Sequence, residues 1–144
     1  MNKKPVLDIR VEFNGQAVQL RGENGEVLMI PFAGSASGEI FNGIVEPCGV
    51  DTQRVNAAGV RHMSARYMLT GTDADGNACR IYVENDGWFD DSNVPMPFHT
   101  VPAFYTDSPR LAPYLHCNRF VGEGREEADG LHIRFFEVGD EDWE

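Results

Sequence analysis

A chain of 144 residues is long enough to bury an apolar core without help from metals or disulfides. Its formal net charge of -11 opposes a phosphate backbone or an anionic membrane surface, so neither nucleic acid nor a membrane is expected as a partner. Hydrophobic residues make up 42% and charged residues 24%, the balance of an ordinary folded domain, and no apolar run approaches the ~20 residues of a membrane-spanning helix.

The pattern in chain order is period two. Leu7, Ile9, Val11 and Phe13 alternate with Asp8, Arg10 and Glu12, and Asn14-Gly15 then supplies a turn. Residues 17–20 read as the return strand, Asn24-Gly25 as a second turn and residues 27–32 as a third strand. The glycines between Gly34 and Gly43 suit a strand that bends around a small barrel. Residues 40–46 continue as a strand ended by Pro47, and residues 51–55 form a short one.

Residues 61–70 give the strongest central strand, with Met63, Ala65, Tyr67 and Leu69 on one face and His62, Ser64, Arg66 and Met68 on the other. A turn at residues 73–77 leads into residues 78–85, completing the clearest hairpin. Residues 86–99, with Pro95 and Pro97, read as a long loop with room for one helical turn. Residues 100–106 read as an edge strand broken by Pro102. Residues 114–122 and 131–138 are the last two strands, the second with Leu131, Ile133 and Phe135 opposite His132, Arg134 and Phe136, and the acidic residues 139–144 form a frayed tail. The predicted architecture is all-β: one domain over 1–144, core about 7–138, closed as a single antiparallel barrel with few or no helices.

Three cysteines, Cys48, Cys79 and Cys117, stand far apart without a CxxC pair; they are expected to be buried free thiols rather than a disulfide framework or zinc site. With no basic-apolar-small leader, a cytoplasmic setting is the expectation.

The stretches IPFAGSASGEIFNGIVEPCGVDTQRV, ARYMLTGTDADGNACRIYVENDG, FYTDSPRLAPYLHCNRFVGEG and IRFFEV follow one another in an order and spacing that resemble the bacterial family catalogued as domain of unknown function three-two-three-seven. The matching positions are Gly38, Gly43, Asp51, Tyr67, Asp75-Gly76, Ile81, Gly87, Pro109, Asn118 and Gly124. The resemblance implies a lipocalin-like or allene-oxide-cyclase-like barrel that self-associates, and it implies no particular reaction. The chain departs from the family pattern at Cys48, at Val50 and Thr52 around Asp51, across 86–98, and at Tyr114 to Asn118.

Asp51 lies in a strand-like stretch, where an inward-facing carboxylate would have a raised pKa and could move protons; its structural alternative is a bond to Arg66 or to backbone amides. Tyr67 shares the inward face of its strand, and Arg66 beside it points away, toward a carboxylate or a subunit contact. Tyr114, His116 and Asn118 fall on alternate positions of a predicted strand and could together orient a carbonyl or hydroxyl ligand, or else form a polar outer face. Glu84 is placed at a strand end, at the rim or in solvent. His62, His99, His116 and His132 show no metal-ligand spacing, and neither GxSxG nor a phosphate loop is present, so no metal or cofactor is expected.

Three functions fit this sequence. The leading one is a barrel binding a small hydrophobic or aromatic molecule, with Tyr114, Asn118, Arg66 and Glu84 as ligand contacts and a homo-oligomer, a dimer in particular, as the assembly. The second is a cofactor-free isomerase, cyclase or dehydratase using Asp51, Tyr67 and His116. The third is a structural or interaction protein whose barrel is filled with side chains.

Overall fold

In the computed structural model, which describes residues 4–90 and 94–139, the alternating stretches become nine strands and one short helix. The strands are β1 (Leu7–Phe13), β2 (Val18–Gly22), β3 (Gly25–Ser37), β4 (Phe41–Asn56), β5 (Arg61–Asp73), β6 (Ala78–Phe89), β7 (Phe98–Thr106), β8 (Phe120–Glu127) and β9 (Gly130–Glu137); the helix α1 (Ala112–Leu115) lies between β7 and β8. Every pairing is antiparallel. The sheet runs β1-β9-β8-β7-β6-β5-β4-β3, and β1 pairs back onto β3, so eight strands close into a barrel; β2 only extends the outer end of β3. Closure removes the free edges that an open sheet would expose.

The closing seam requires a glycine at one point. Gly34 sits at φ 144° opposite Val11, and a Cβ there would lie 1.9 Å from the Arg10 carbonyl oxygen. The register of β3 against β4 shifts between Phe32 and Gly34, and that of β4 against β5 between Val45 and Val50. These irregularities make one bent strand of each pair of segments that read separately in the sequence.

One end of the barrel is solid. Phe104 meets Phe120 and Phe135 edge-to-face, each at 5.3 Å and 90°. Leu7, Ile9, Phe41, Leu69, Ile81 and Val83 complete this fully buried layer. Leu111 and Leu115, from the α1 segment, plug the end. The predicted inward faces of β1, β5 and β9 are the ones observed.

Four expectations are corrected. Strand β6 extends to Phe89, because the buried alternation Cys79, Ile81, Val83, Asn85, Gly87, Phe89 continues through a polar residue and a glycine; with β7 starting at Phe98, the loop shrinks to 90–97, and no helical turn occurs among its described residues. Pro102 does not break β7. It is fully buried, paired with Asn85 of β6, and lies beyond the last β7–β8 pair, Thr100 with Gly122, where no neighbouring strand asks for an N–H. The predicted strand over 114–122 is instead the end of α1, a turn, and the start of β8. Of the cysteines only Cys79 is buried; Cys48 and Cys117 are exposed.

A charged clasp covers the outer face of the seam. His132 of β9 shares its ring protons with Asp8 of β1 (Nδ1, 2.8 Å) and Asp129 (Nε2, 2.7 Å), and Arg134 reaches both Asp8 and Glu127. Burial works against a charged imidazole here, but the bonds to Asp8 and Asp129 outweigh it and raise the His132 pKa. A raised native pKa means the clasp stabilises fully below the unfolded histidine value, ~6.5, and that this stabilisation is lost as pH rises through the native value. Urea unfolding of the protein and of His132→Gln should therefore differ most at pH 6, with the gap narrowing at pH 9. A gap independent of pH would show that the ring acts only through packing.

Candidate ligand cavity

The other end of the barrel is open inside. A cavity of about 200 Å³ lies above the aromatic layer, walled by Val11, Ile30, Phe32, Met63, Phe98 and Ile133 among others. Phe13 and Met96 line it and are themselves exposed, which marks the mouth. An apolar cavity of ~150 Å³ is enough to take up benzene.

Strand register places the polar groups. Ile30 pairs with Asp51, Asp51 with Ala65, and Ala65 with Asn85, so one inward row crosses four strands. Ala65 is the gap in this row. Asp51 and Asn85 flank it two strand spacings apart, roughly 9.5 Å between backbones. Tyr67 lies one inward step deeper, its ring edge-on to Phe32 at 5.2 Å. Thr100 lies one step nearer the mouth, where Gly122 leaves room for it; a Cβ there would be 2.3 Å from Thr100 Oγ1.

Asp51, Tyr67, Asn85 and Thr100 line this cavity, and each has a buried oxygen (Oδ1, Oη, Oδ1 and Oγ1 in turn) with no hydrogen-bond partner among the described residues. A buried polar atom left this way costs about 1–3 kcal/mol, and interiors seldom tolerate one, let alone a cluster. Ser64 Oγ is likewise unbonded but lies on the opposite face of β5.

Asp51 is held from one side only. Its Oδ2 accepts a hydrogen bond from Gln53 Nε2 at 2.8 Å, Gln53 Oε1 accepts from Arg61 at 2.7 Å, and Arg61 bridges to Glu26 at 3.3 Å. This chain runs from the rim to the carboxylate and leaves Oδ1 without a partner among the described residues. Burial raises the Asp51 pKa; the Gln53 hydrogen bond and the Arg61 charge pull it partly back. Burial raises the Tyr67 pKa well above the ordinary phenol value, so its hydroxyl stays protonated and can donate.

Of the residues singled out in the sequence, Asp51 and Tyr67 meet in this cavity. The predicted Tyr114, His116 and Asn118 constellation lies elsewhere, around α1 and the turn after it. His116 Nε2 accepts from the Thr106 amide at 3.0 Å, and Asn118, at φ 55°, accepts the Phe104 amide at 3.1 Å. They complete hydrogen bonds of β7 where β8 has departed. Tyr114 packs edge-on to Phe120 at 5.3 Å and donates its hydroxyl to Glu137 at 2.9 Å, latching the helix to β9. Arg66 and Glu84 pair with each other at 3.0 Å on the outer surface, so Arg66 does not bind Asp51. Asn85, Thr100 and Gln53 were missed. The alternation of β6 and β7 could have found the first two, since each stands where an apolar residue belongs.

Glu127, Asp129 and His132 bring three potential metal-ligating atoms within 4.8 Å, but these groups are already engaged with one another and with Arg134 and Arg10. No helix among the described residues is long and apolar enough to cross a membrane.

The fold and candidate site thus define a small antiparallel β-barrel, packed at one end and hollow at the other, with Asp51, Tyr67, Asn85 and Thr100 lining the hollow. The chain belongs to the family described as protein of unknown function (DUF3237), whose model matches residues 1–138. It is 35% identical over 130 residues to a UPF0311 protein of Clostridium acetobutylicum, covering 79% of this chain and 78% of the relative. A crystal structure of a protein with unknown function from Clostridium acetobutylicum has 29% identity and a TM-score of 0.71, covering 96% of this chain and 100% of that one. A β-barrel like protein of Acinetobacter baumannii has 20% identity and a TM-score of 0.72, covering 96% of each chain. An enzyme from Penicillium herquei shares the fold at 18% identity and a TM-score of 0.63, covering 94% of each chain.

Proposed function

We propose that this barrel binds a small, mainly apolar molecule in its hollow end. The observation that carries the reading is the convergence of Asp51, Tyr67, Asn85 and Thr100, each with an unbonded buried atom, on one apolar cavity. A few polar groups set in an apolar concavity are the usual make-up of a small-molecule site, giving orientation while burial gives affinity. The filled-barrel reading applies to the aromatic end alone, where Phe104, Phe120 and Phe135 leave no room.

The methionines offer an internal control. Met63 and Met96 line the cavity, whereas Met29 is exposed and Met68 lies on the outer face of β5. Titrating methyl-labelled protein with one-ring aromatic compounds should move the Met63 and Met96 signals and leave Met29 and Met68 in place. Shifts confined to Met29 or Met68 would place binding on the outside and refute the reading.

A further inference from the structure

We infer that the molecule this cavity accepts is a neutral one-ring compound bearing a hydroxyl group, a phenol or cyclic alcohol, seated with the hydroxyl beside Asp51 and Tyr67. The inference rests on the cavity being a binding site and adds the chemistry of what it takes.

Charge excludes anions. Among the described lining residues the ionisable carboxyl groups are those of Asp51 and Glu126, and none is a lysine or arginine. Arg61, the cation nearest in the hydrogen-bond chain, is directed to Gln53 and Glu26 rather than into the cavity. A carboxylate or phosphate would meet a like charge in a low-dielectric space with no cation among the described lining residues.

The hydrogen-bonding set argues against a cation as well. Asp51 Oδ1 and Asn85 Oδ1 accept, but the unbonded hydroxyls of Tyr67 and Thr100 have protons to give. An ammonium can donate to those hydroxyl oxygens but offers no acceptor for their protons, and it loses its own hydration on entry. A ligand hydroxyl does both: it gives its proton to Asp51 Oδ1 and accepts from Tyr67. A hydrocarbon ring fits the walls but leaves every polar atom unbonded.

Size sets the remaining limit. A volume of about 200 Å³ suits one ring with small substituents. The open place above Ala65, between Asp51 and Asn85, is where the polar end of that ring would lie.

Four probes of similar size separate these cases: phenol, toluene, benzoate and benzylamine, titrated at neutral pH with the Met63 and Met96 methyl signals as readout. Phenol should bind about ten-fold more tightly than toluene, the gain of a charge-assisted hydrogen bond, and benzoate and benzylamine more weakly than toluene. Asp51→Asn should reduce the phenol preference over toluene and narrow the penalty on benzoate, with an unchanged circular dichroism spectrum showing that the barrel is intact. Toluene binding as well as phenol, or either charged probe binding best, overturns the hydroxyl assignment while leaving the cavity reading standing. Silence from all four overturns both.

Discussion

Replacing Ala65 with phenylalanine should abolish ligand uptake, by at least about 100-fold, without unfolding the protein. Ala65 is the small residue between Asp51 and Asn85 on the wall of the cavity. A phenyl group at this position would take up much of a space of about 200 Å³. Lost volume alone would exclude a ring, and the polar atoms around it would no longer be reachable. Overpacking a dense core costs about 1–3 kcal/mol, but here the new ring enters empty apolar space and gains dispersion contacts that the walls now lack. The melting temperature should stay within a few degrees of the parent or rise. Methyl titrations on the variant, beside a thermal melt, check both halves. Retained affinity in a folded variant would mean that the ligand binds somewhere else.

The second large effect is on stability. Phe104→Ala should cost roughly 3–5 kcal/mol, the usual range for emptying a buried aromatic site. Phe104 is fully buried and makes edge-to-face contacts with Phe120 and Phe135, so its removal leaves a hole in the middle of the aromatic layer. That is a large share of the 5–15 kcal/mol that holds a typical domain together. Met63→Ala should cost much less, because Met63 already borders open space and few atoms lose a partner. Urea unfolding of the two variants measures the difference. Equal losses would contradict the division of the barrel into a packed end and a hollow one.

Much of the barrel was legible because period-two alternation survives wherever the inner residues are apolar. Strands β1, β5 and β9 read correctly, face by face, from Leu7 to Phe13, Met63 to Leu69 and Leu131 to Phe135. The reading failed where an inner position carried something other than a hydrophobe. Asn85 and Gly87 interrupted the pattern of β6, so its last turnward residues were taken as loop. Pro102 suggested a broken edge strand, since its pairing with β6 alone depends on where β8 leaves the sheet, a tertiary fact.

The candidate site was half legible for the same reason. Asp51 and Tyr67 stand on inward positions and were recognised as candidates. Asn85 and Thr100 were not, although each breaks an apolar alternation, and a polar residue on an inward face is itself the signal of a site in such a barrel. Tyr114, His116 and Asn118 misled because two-residue spacing was taken for a strand. Pro113 at the start of a helical turn and the left-handed backbone at Asn118 instead put their side chains to work bonding β7 and β9.

Whether the hollow end holds a molecule is tested most directly by native mass spectrometry of the 16.0 kDa chain purified from its own cells, beside Ala65→Phe prepared in the same way. The parent should carry a small adduct, released on denaturation, that the variant lacks. A bare parent, or the same adduct on both proteins, would contradict the account.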